Sequence, residues 1–240
     1  LPQPKGILLL GVSGSGKSLV SKAVSSLWRL PLLRFDVGTV FSGLVGSSEE
    51  NMRKAIRTAE SVSPCLLWLD EMDKGLSGAF SSTFSDGGTT ARVLSSFLTW
   101  MQEKTRGLFV AATANRVDLL PAELIRKGRF DEVFFVDLPH EEEMLEIFRI
   151  HLARRAVDAG KFNLAQVVKF TAGWTGAEIE QCVISAVTKA RIEDRAVVEQ
   201  DLVTIAAKSV PLSRTMKEQI NHIRNWAFER AVRASTRTKS

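Results

Sequence analysis

The feature that most constrains the fold is an apolar run that leads directly into a glycine-rich loop and then a helix. Residues 6–10 read GILLL, the length and composition of a buried strand, and residues 11–18 read GVSGSGKS. A helical pattern follows as far as Trp28. Strand, glycine turn and helix in this order predict the first unit of a parallel α/β sheet.

The glycine-rich loop fits the pattern G-x-x-x-x-G-K-[ST]. Its glycines let backbone N–H groups surround a phosphate without side-chain clashes, and the helix N-terminus adds its dipole. Lys17 brings a positive charge to the outer phosphates, and Ser18 offers a hydroxyl to Mg²⁺. An ordinary glycine-rich turn is the alternative, and the strand–loop–helix context disfavours it. The candidate nucleotide-binding residues are Gly11, Val12, Ser13, Gly14, Ser15, Gly16, Lys17, Ser18 and Leu19.

Four more apolar runs, separated by helical patterns, extend the sheet. They span residues 32–37, 65–70, 107–115 and 132–138. Strands that alternate with helices predict a five-stranded parallel sheet with right-handed crossovers and helices on both faces. The Ser- and Gly-rich stretch 75–90 is predicted to be a mobile loop.

The strand pattern stops at Pro139, and the rest of the chain reads as helices. One of them opens with Thr175 and Glu178 at the spacing of a capping box. The sequence therefore predicts an α/β domain over 1–139, a small all-helical domain over 140–212, and a C-terminal helix with a basic tail over 213–240.

Polar residues follow two of the predicted strands. Asp70 ends CLLWLD and suits Mg²⁺ held through water, and Glu71 beside it can polarise an attacking water. Asn115 ends the next strand and can contact the same water on the γ-phosphate side. Acidic residues often end strands and Asn often occupies turns. The position of Asp70 and Glu71 one strand–helix unit beyond the phosphate loop favours the functional interpretation.

These motifs together resemble the AAA-plus ATPases, within the subgroup that has the second region of homology. The resemblance rests on GVSGSGKS (Walker A), LLWLDE (Walker B), ATANRVDLLPAELIRKGRFDEVFFVDLP and GWTGAEIE, and it covers roughly residues 5–210. The stretches GLVGSSEENMRKAIRTAE and LSSFLTWMQEK are also similar to those of an ATPase that is encoded by a hypothetical reading frame in cyanobacteria and algal plastids.

The resemblance implies a fold and roles for particular residues. It implies a P-loop NTPase sheet followed by a helical lid domain, forming a homohexameric ring that uses ATP and Mg²⁺. Ser18 and Asp70 would hold the metal, Asp70 and Glu71 would be the Mg²⁺ and catalytic pair, and Asn115 would be sensor 1. The lid would meet the adenine and ribose at Gly176 and Ala177.

Two arginines, Arg126 and Arg129, flank a glycine in LIRKGRFDE. Read locally, they are solvated surface charges beside a turn. The resemblance implies instead that they act as arginine fingers on the nucleotide of the neighbouring subunit.

The sequence departs from the family pattern in two places, the pore loop that contacts a protein substrate and the segment that contacts the adenine base. Leu44 in SGLVG stands where unfoldases carry a pore-loop aromatic, and it offers less contact area than Trp, Phe or Tyr. Phe41 can substitute or belong to the core. The segment that contacts the base upstream of the first strand is missing, so the adenine pocket is expected to be incomplete.

Composition narrows the class of protein. Hydrophobic residues make up 45% and charged residues 25%, as in ordinary globular proteins, and no apolar run has the roughly 18 residues of a membrane span. Cys65 and Cys182 lack metal-ligand spacing and are expected to be buried thiols. The chain opens at Leu1 without an initiator Met or a leader, so we expect a fragment of a longer protein. Reduced thiols indicate a cytosol-like compartment, and with the resemblance they lead us to expect the cytoplasm or plastid stroma.

Three functions compete at this stage. The first is a ring-forming ATPase that remodels a protein partner. The second is a nucleotide-gated switch or assembly scaffold with slow turnover, which Leu44 favours modestly. The third is an ATPase that acts on nucleic acid, and the net charge of +5, concentrated in ERAVRASTRTKS, gives it little support.

Overall fold

A computed structural model of the 240-residue chain describes residues 3–38, 47–81, 87–104, 107–126 and 128–235, without the side chains of 47, 77–81 and 87–91. The described residues group into two compact units. The sheet unit contains those within Leu1–Gly11, Lys17–Val136 and Trp226–Ser240, and the helical unit contains Val12–Gly16 and Asp137–Asn225. None of the helices in these ranges has the length and apolar character needed to cross a membrane.

A parallel sheet forms the centre of the sheet unit. Its strands are β1 (Gly6–Gly11), β2 (Leu32–Asp36), β3 (Cys65–Asp70), β4 (Leu108–Ala114), β5 (Glu132–Val136) and β6 (Val232–Arg233). Their order is β2-β3-β4-β1-β5-β6, and every neighbouring pair is parallel. The predicted P-loop α/β class is confirmed.

The sixth strand corrects the prediction of five. It is two exposed residues long and pairs with β5 at Phe134 and Phe135. The backbone N–H of Ala234 adds a 2.9 Å hydrogen bond to the carbonyl of Phe135. Because both residues of the strand are exposed, it leaves no buried apolar pattern in the sequence.

The middle of the sheet is the core of this unit. All seven residues of β4 and five of the six in β3 are buried. Strands covered on both faces read as continuous apolar runs instead of alternating ones, which is why these two stand out in the sequence.

In the described part of the chain, the helices that accompany the sheet include α1 (Lys17–Trp28), α2 (Ser47–Ser61), α3 (Met72–Ser81), α4 (Gly87–Glu103) and α5 (Ala122–Ile125). The predicted loop over 75–90 is therefore wrong for residues 75–81 and 87–90, which are helical. Met72 and Leu76, one turn apart in α3, are 1% and 0% exposed. Their burial stabilises a helix that the Ser and Gly content disfavours.

The helical unit contains α6 (Glu141–Ala153), α7 (Leu164–Lys169), α8 (Gly176–Ile192), α9 (Glu199–Lys208), α10 (Leu212–Thr215) and the first part of α11 (Lys217–Arg230). Phe148, Leu152 and Val183 are fully buried in its core. The predicted capping box is present: Thr175 Oγ1 accepts the N–H of Glu178, whose carboxylate accepts the N–H of Thr175.

Candidate functional site

The glycine loop lies against the start of α8 within the helical unit. Gly14 and Gly16 have φ angles of +78° and +101°, in the left-handed region that favours glycine. The backbone N–H of Ala177 donates to the carbonyl of Gly14 over 3.1 Å. A Cβ on Gly14 would lie 2.9 Å from Cβ of Ala177 and 3.1 Å from Oγ1 of Thr175. The loop conformation therefore requires glycine at position 14.

Gly176 lies beside the same loop. A Cβ on it would lie 3.5 Å from the carbonyl oxygen of Gly14 and 3.7 Å from Ile147. The structure thus brings both Gly176 and Ala177 next to the glycine loop. Their predicted contact with the base and ribose stays a prediction.

Lys17 opens α1, and only 6% of its surface is exposed. Its Nζ donates to the carbonyl of Gly11 over 3.0 Å. Burial lowers the pKa of Lys17 to about 8, against the opposing pull of Asp73, Asp70 and Glu71. Because burial disfavours its charged form, this ammonium is poised to gain from an anionic ligand.

The carboxylate of Asp70, at the end of β3, interacts with Ser18, Thr113 and Arg34. It accepts hydrogen bonds from Oγ of Ser18 at 3.2 Å and from Oγ1 of Thr113 at 2.7 Å. Nη2 of Arg34 forms an ion pair with its other oxygen at 3.2 Å. A hydroxyl and a carboxylate that converge in this way fit the hard oxygen ligands that Mg²⁺ prefers, with water completing the set.

Glu71 adopts a strained backbone at the same strand end. Its φ is +51°, and its N–H donates to Oγ1 of Thr113 over 3.0 Å. Its side chain pairs with Nζ of Lys74 at 2.6 Å, and both side chains are substantially exposed. The carboxylate of Glu71 is therefore accessible to solvent, but it is held in an ion pair with Lys74.

Asn115 directly follows β4, the strand that pairs with β3. Its N–H donates to Oδ1 of Asp73 over 3.1 Å. Asp73 is 2% exposed, and burial raises its pKa. The carboxyl ends of β3 and β4 thus bring Asn115 to the same edge of the sheet as Asp70 and Glu71.

The two arginines lie in the turn between α5 and β5. Arg126 is exposed, whereas Arg129 is half-buried and its Nη1 is enclosed. The turn closes through the Arg129 N–H and the Arg126 carbonyl at 3.4 Å, with Gly128 at φ +93°. In the part of the chain that the structure describes, neither guanidinium hydrogen-bonds to Asp70, Glu71 or Asn115.

Sequence reasoning missed Thr113, Asp73, Lys74 and Arg34 around this site. Asp73 could have been noticed as the second aspartate of DEMD, two residues after Glu71. Thr113 and Arg34 gave no signal, because their roles depend on which strands are neighbours. The pore-loop positions Phe41 and Leu44 lie outside the described residues.

Comparison with known proteins found a family model and relatives that this chain resembles. The model of the ATPase family associated with various cellular activities (AAA) matches residues 7–138. The AAA domain-containing protein ycf46 of Gracilaria tenuistipitata var. liui is 47% identical over 237 residues, which cover 98% of this chain and 48% of that protein. Its counterpart in Pyropia yezoensis is 45% identical over 99% of this chain and 48% of that protein.

More distant matches agree on the fold. The crystal structure of the FIGL-1 AAA domain in complex with ADP superposes with a TM-score of 0.75 at 23% identity, covering 95% of this chain and 79% of that one. The chain spans about half the length of the ycf46 relatives it matches. From the family match, the parallel sheet and the glycine loop, we conclude that this chain belongs to the AAA family of ATPases.

Proposed function

We propose that the chain binds ATP with Mg²⁺ and hydrolyses it as a module of a homohexameric ring that remodels a protein partner. The observation that carries this proposal is the linked set at the ends of β3 and β4. One hydroxyl, that of Thr113, contacts both the carboxylate of Asp70 and the backbone of Glu71. Asp70 also accepts a hydrogen bond from the hydroxyl of Ser18, which follows the buried Lys17.

Phosphate binding falls to the glycine loop and the start of α1. Backbone N–H groups of Gly11–Ser18 surround the phosphates, and Lys17 neutralises their charge. Ser18 and Asp70 would hold Mg²⁺, which would supply positive charge to the phosphoryl oxygens when bound. Leu19 is 55% exposed and is proposed only to flank the nucleotide.

Hydrolysis falls to Glu71 and Asn115. Glu71 accepts a proton from the water that attacks the γ-phosphorus, and the side-chain amide of Asn115 orients that water. The ADP leaving group departs as the new P–O bond forms. The buried carboxylate of Asp73 supports this arrangement by holding the backbone of Asn115.

Arg126 and Arg129 are proposed to complete the site of the next subunit. An arginine that stabilises the transferring phosphoryl group contributes about 10³ to 10⁵ in rate. The exposure of Arg126 supports an action outside its own subunit. The oligomer therefore becomes part of the catalytic unit.

A nucleotide-gated switch with slow turnover is the second candidate. It is favoured by the ion pair between Glu71 and Lys74, because a carboxylate held by a cation is less available as a base. The partner, the compartment (cytoplasm or plastid stroma) and the proposed boundaries at 139 and 212 stay predictions.

Mixing inactive subunits tests the proposal. Protein with Arg126→Ala and Arg129→Ala should bind ATP normally and hydrolyse it slowly. Adding Lys17→Ala subunits, which keep both arginines, should restore turnover. If no ratio of the two proteins restores it, the arginines do not act in trans and the ring mechanism is wrong.

A further inference from the structure

The turn that carries the two arginines is fastened to the beginning of β1. Oδ2 of Asp131 accepts the backbone N–H of Lys5 at 2.6 Å and that of Gly6 at 2.8 Å. The N–H of Asp131 donates to the carbonyl of Gly6 over 2.8 Å. One residue, two positions beyond Arg129, thus forms three hydrogen bonds with two consecutive residues of another segment.

Lys5 fastens the same turn a second time. Its Nζ donates to the carbonyl of Gly128 over 3.0 Å, and Gly128 is the left-handed residue of the turn. Lys5 is itself held by Lys104, whose Nζ donates to the Lys5 carbonyl over 2.6 Å. Hydrogen bonds to Lys5 and Gly6 therefore hold both ends of the segment 128–131, which contains Arg129.

The hydrogen bonds of Asp131 and Lys5 matter because an arginine finger must hold its guanidinium in a fixed direction. The nucleotide that it serves belongs to another subunit, so contacts within its own chain must fix the direction of the guanidinium beforehand. Groups held in advance at the position of developing charge stabilise a transition state most effectively. A long, exposed side chain on a loose turn loses that advantage to its conformational entropy.

We propose that Asp131 and Lys5 are positioning residues, which aim Arg126 and Arg129 at the ATP of the neighbouring subunit. This inference rests on the proposed function. It assigns to Asp131 and Lys5 a role in the donor subunit only, with no contact to the nucleotide of their own subunit. A purely structural role would affect donor and acceptor subunits alike.

The test separates donor from acceptor. The acceptor carries Arg126→Ala and Arg129→Ala, and the reference donor carries Lys17→Ala. Donors that combine Lys17→Ala with Asp131→Ala, or with Lys5→Met, are compared with the reference donor for the ATP turnover that they restore. Glu132→Gln in the donor is the matched control, because Glu132 directly follows Asp131 and its carboxylate accepts the N–H of the adjacent Val133.

The Asp131→Ala donor should restore about ten- to a hundredfold less turnover than the reference, in line with the cost of a small misplacement of a catalytic group. Lys5→Met, which removes one bond instead of two, should have a smaller effect in the same direction. Glu132→Gln should restore turnover fully. As an acceptor, the single variant Asp131→Ala should respond to the Lys17→Ala donor as strongly as the arginine-free acceptor does.

Each contrary result has its own meaning. Full rescue by both the Asp131→Ala and the Lys5→Met donors overturns the positioning role and leaves the trans mechanism standing. Absence of rescue by the reference donor overturns the trans mechanism itself. If Asp131→Ala fails as an acceptor too, or does not fold, and the Lys5→Met donor acts like the reference, the contacts are structural and the inference is wrong.

Discussion

The hydroxyl of Thr113 lies 2.7 Å from Oδ1 of Asp70, so a side chain of β4 holds the carboxylate that ends β3. Oγ1 of Thr113 in turn accepts the N–H of Glu71 over 3.0 Å. Glu71 has a φ of +51°, a conformation that costs a non-glycine residue about 1 kcal/mol or more. One hydroxyl therefore fixes both acidic residues of the proposed catalytic pair.

Replacing Thr113 by Val tests this link, because Val keeps the branched shape and removes both hydrogen bonds. We expect ATP turnover to fall by about one to two orders of magnitude while the Kd for ATP changes little, since positioning of the reacting groups is lost. The free energy of unfolding should fall by about 1–3 kcal/mol, the cost of unpaired buried groups. Thr113→Ser should keep most of the activity, and wild-type turnover in Thr113→Val would contradict the assignment.

The depressed pKa of Lys17 predicts a pH dependence of ATP binding. Well below pH 8 the free protein already carries the ammonium, so binding takes up little or no proton. Above pH 8 the free amine must be protonated to meet the phosphates, so the affinity should fall with rising pH by up to about tenfold per unit.

Calorimetric titrations at pH 7.5 and 9.5, in buffers that differ in ionisation enthalpy, measure this proton uptake. Lys17→Arg serves as the control because a guanidinium stays charged throughout this range. Its affinity should be the same at the two pH values. An equally flat profile in the wild type would show that the Lys17 pKa is ordinary.

The ion pair of Glu71 with Lys74 predicts that Lys74 restrains basal turnover. Exposed pairs of this kind contribute about 0.2–1 kcal/mol, so freeing the carboxylate should raise the rate about 1.5- to 5-fold. Steady-state ATPase assays of Lys74→Met, with Lys74→Arg as the charge-conserving control, measure the effect. A rate for Lys74→Met below that of the wild type would instead make Lys74 an aid to catalysis.

The contact between the glycine loop and α8 predicts a specific pattern of stabilities. Gly14→Ala combines a left-handed backbone with a Cβ placed 2.9 Å from Ala177, so we expect a loss of about 2–4 kcal/mol in the free energy of unfolding. Gly16→Ala has the backbone strain, but among the described residues no atom beyond its chain neighbours lies within 4 Å of the new Cβ, so this variant should lose less.

Denaturant unfolding of Gly14→Ala/Ala177→Gly completes the series. Removing the methyl group of Ala177 should recover part of the loss, so that the two substitutions are less than additive. Strict additivity would mean that the loop and α8 do not touch at this point.

How far the sequence predicted the structure depends on whether a feature is local. The capping box at Thr175 and the bounds of β3 were predictable, since one depends on residues three apart and the other on burial of both strand faces. The helix over Met72–Ser81 was not, because Met72 and Leu76 stabilise it through tertiary packing.

The candidate site shows the same division. The glycine loop and the Asp70–Glu71 pair are each a continuous stretch of sequence, so the chemistry of each could be predicted from the sequence. Thr113 contributes only because β4 pairs with β3, and the order of the strands is not encoded in any short stretch. Asp131 likewise acquires its partners because β5 lies beside β1.

The central claim is that Glu71 is the base in ATP hydrolysis at this site. It is tested most directly by measuring the ATP affinity and turnover of Glu71→Gln beside the wild type, under conditions in which the wild type turns over. We predict that Glu71→Gln binds ATP with nearly unchanged Kd and hydrolyses it at least about a hundredfold more slowly, so that unhydrolysed ATP stays bound. Equal turnover of the two proteins would contradict the account.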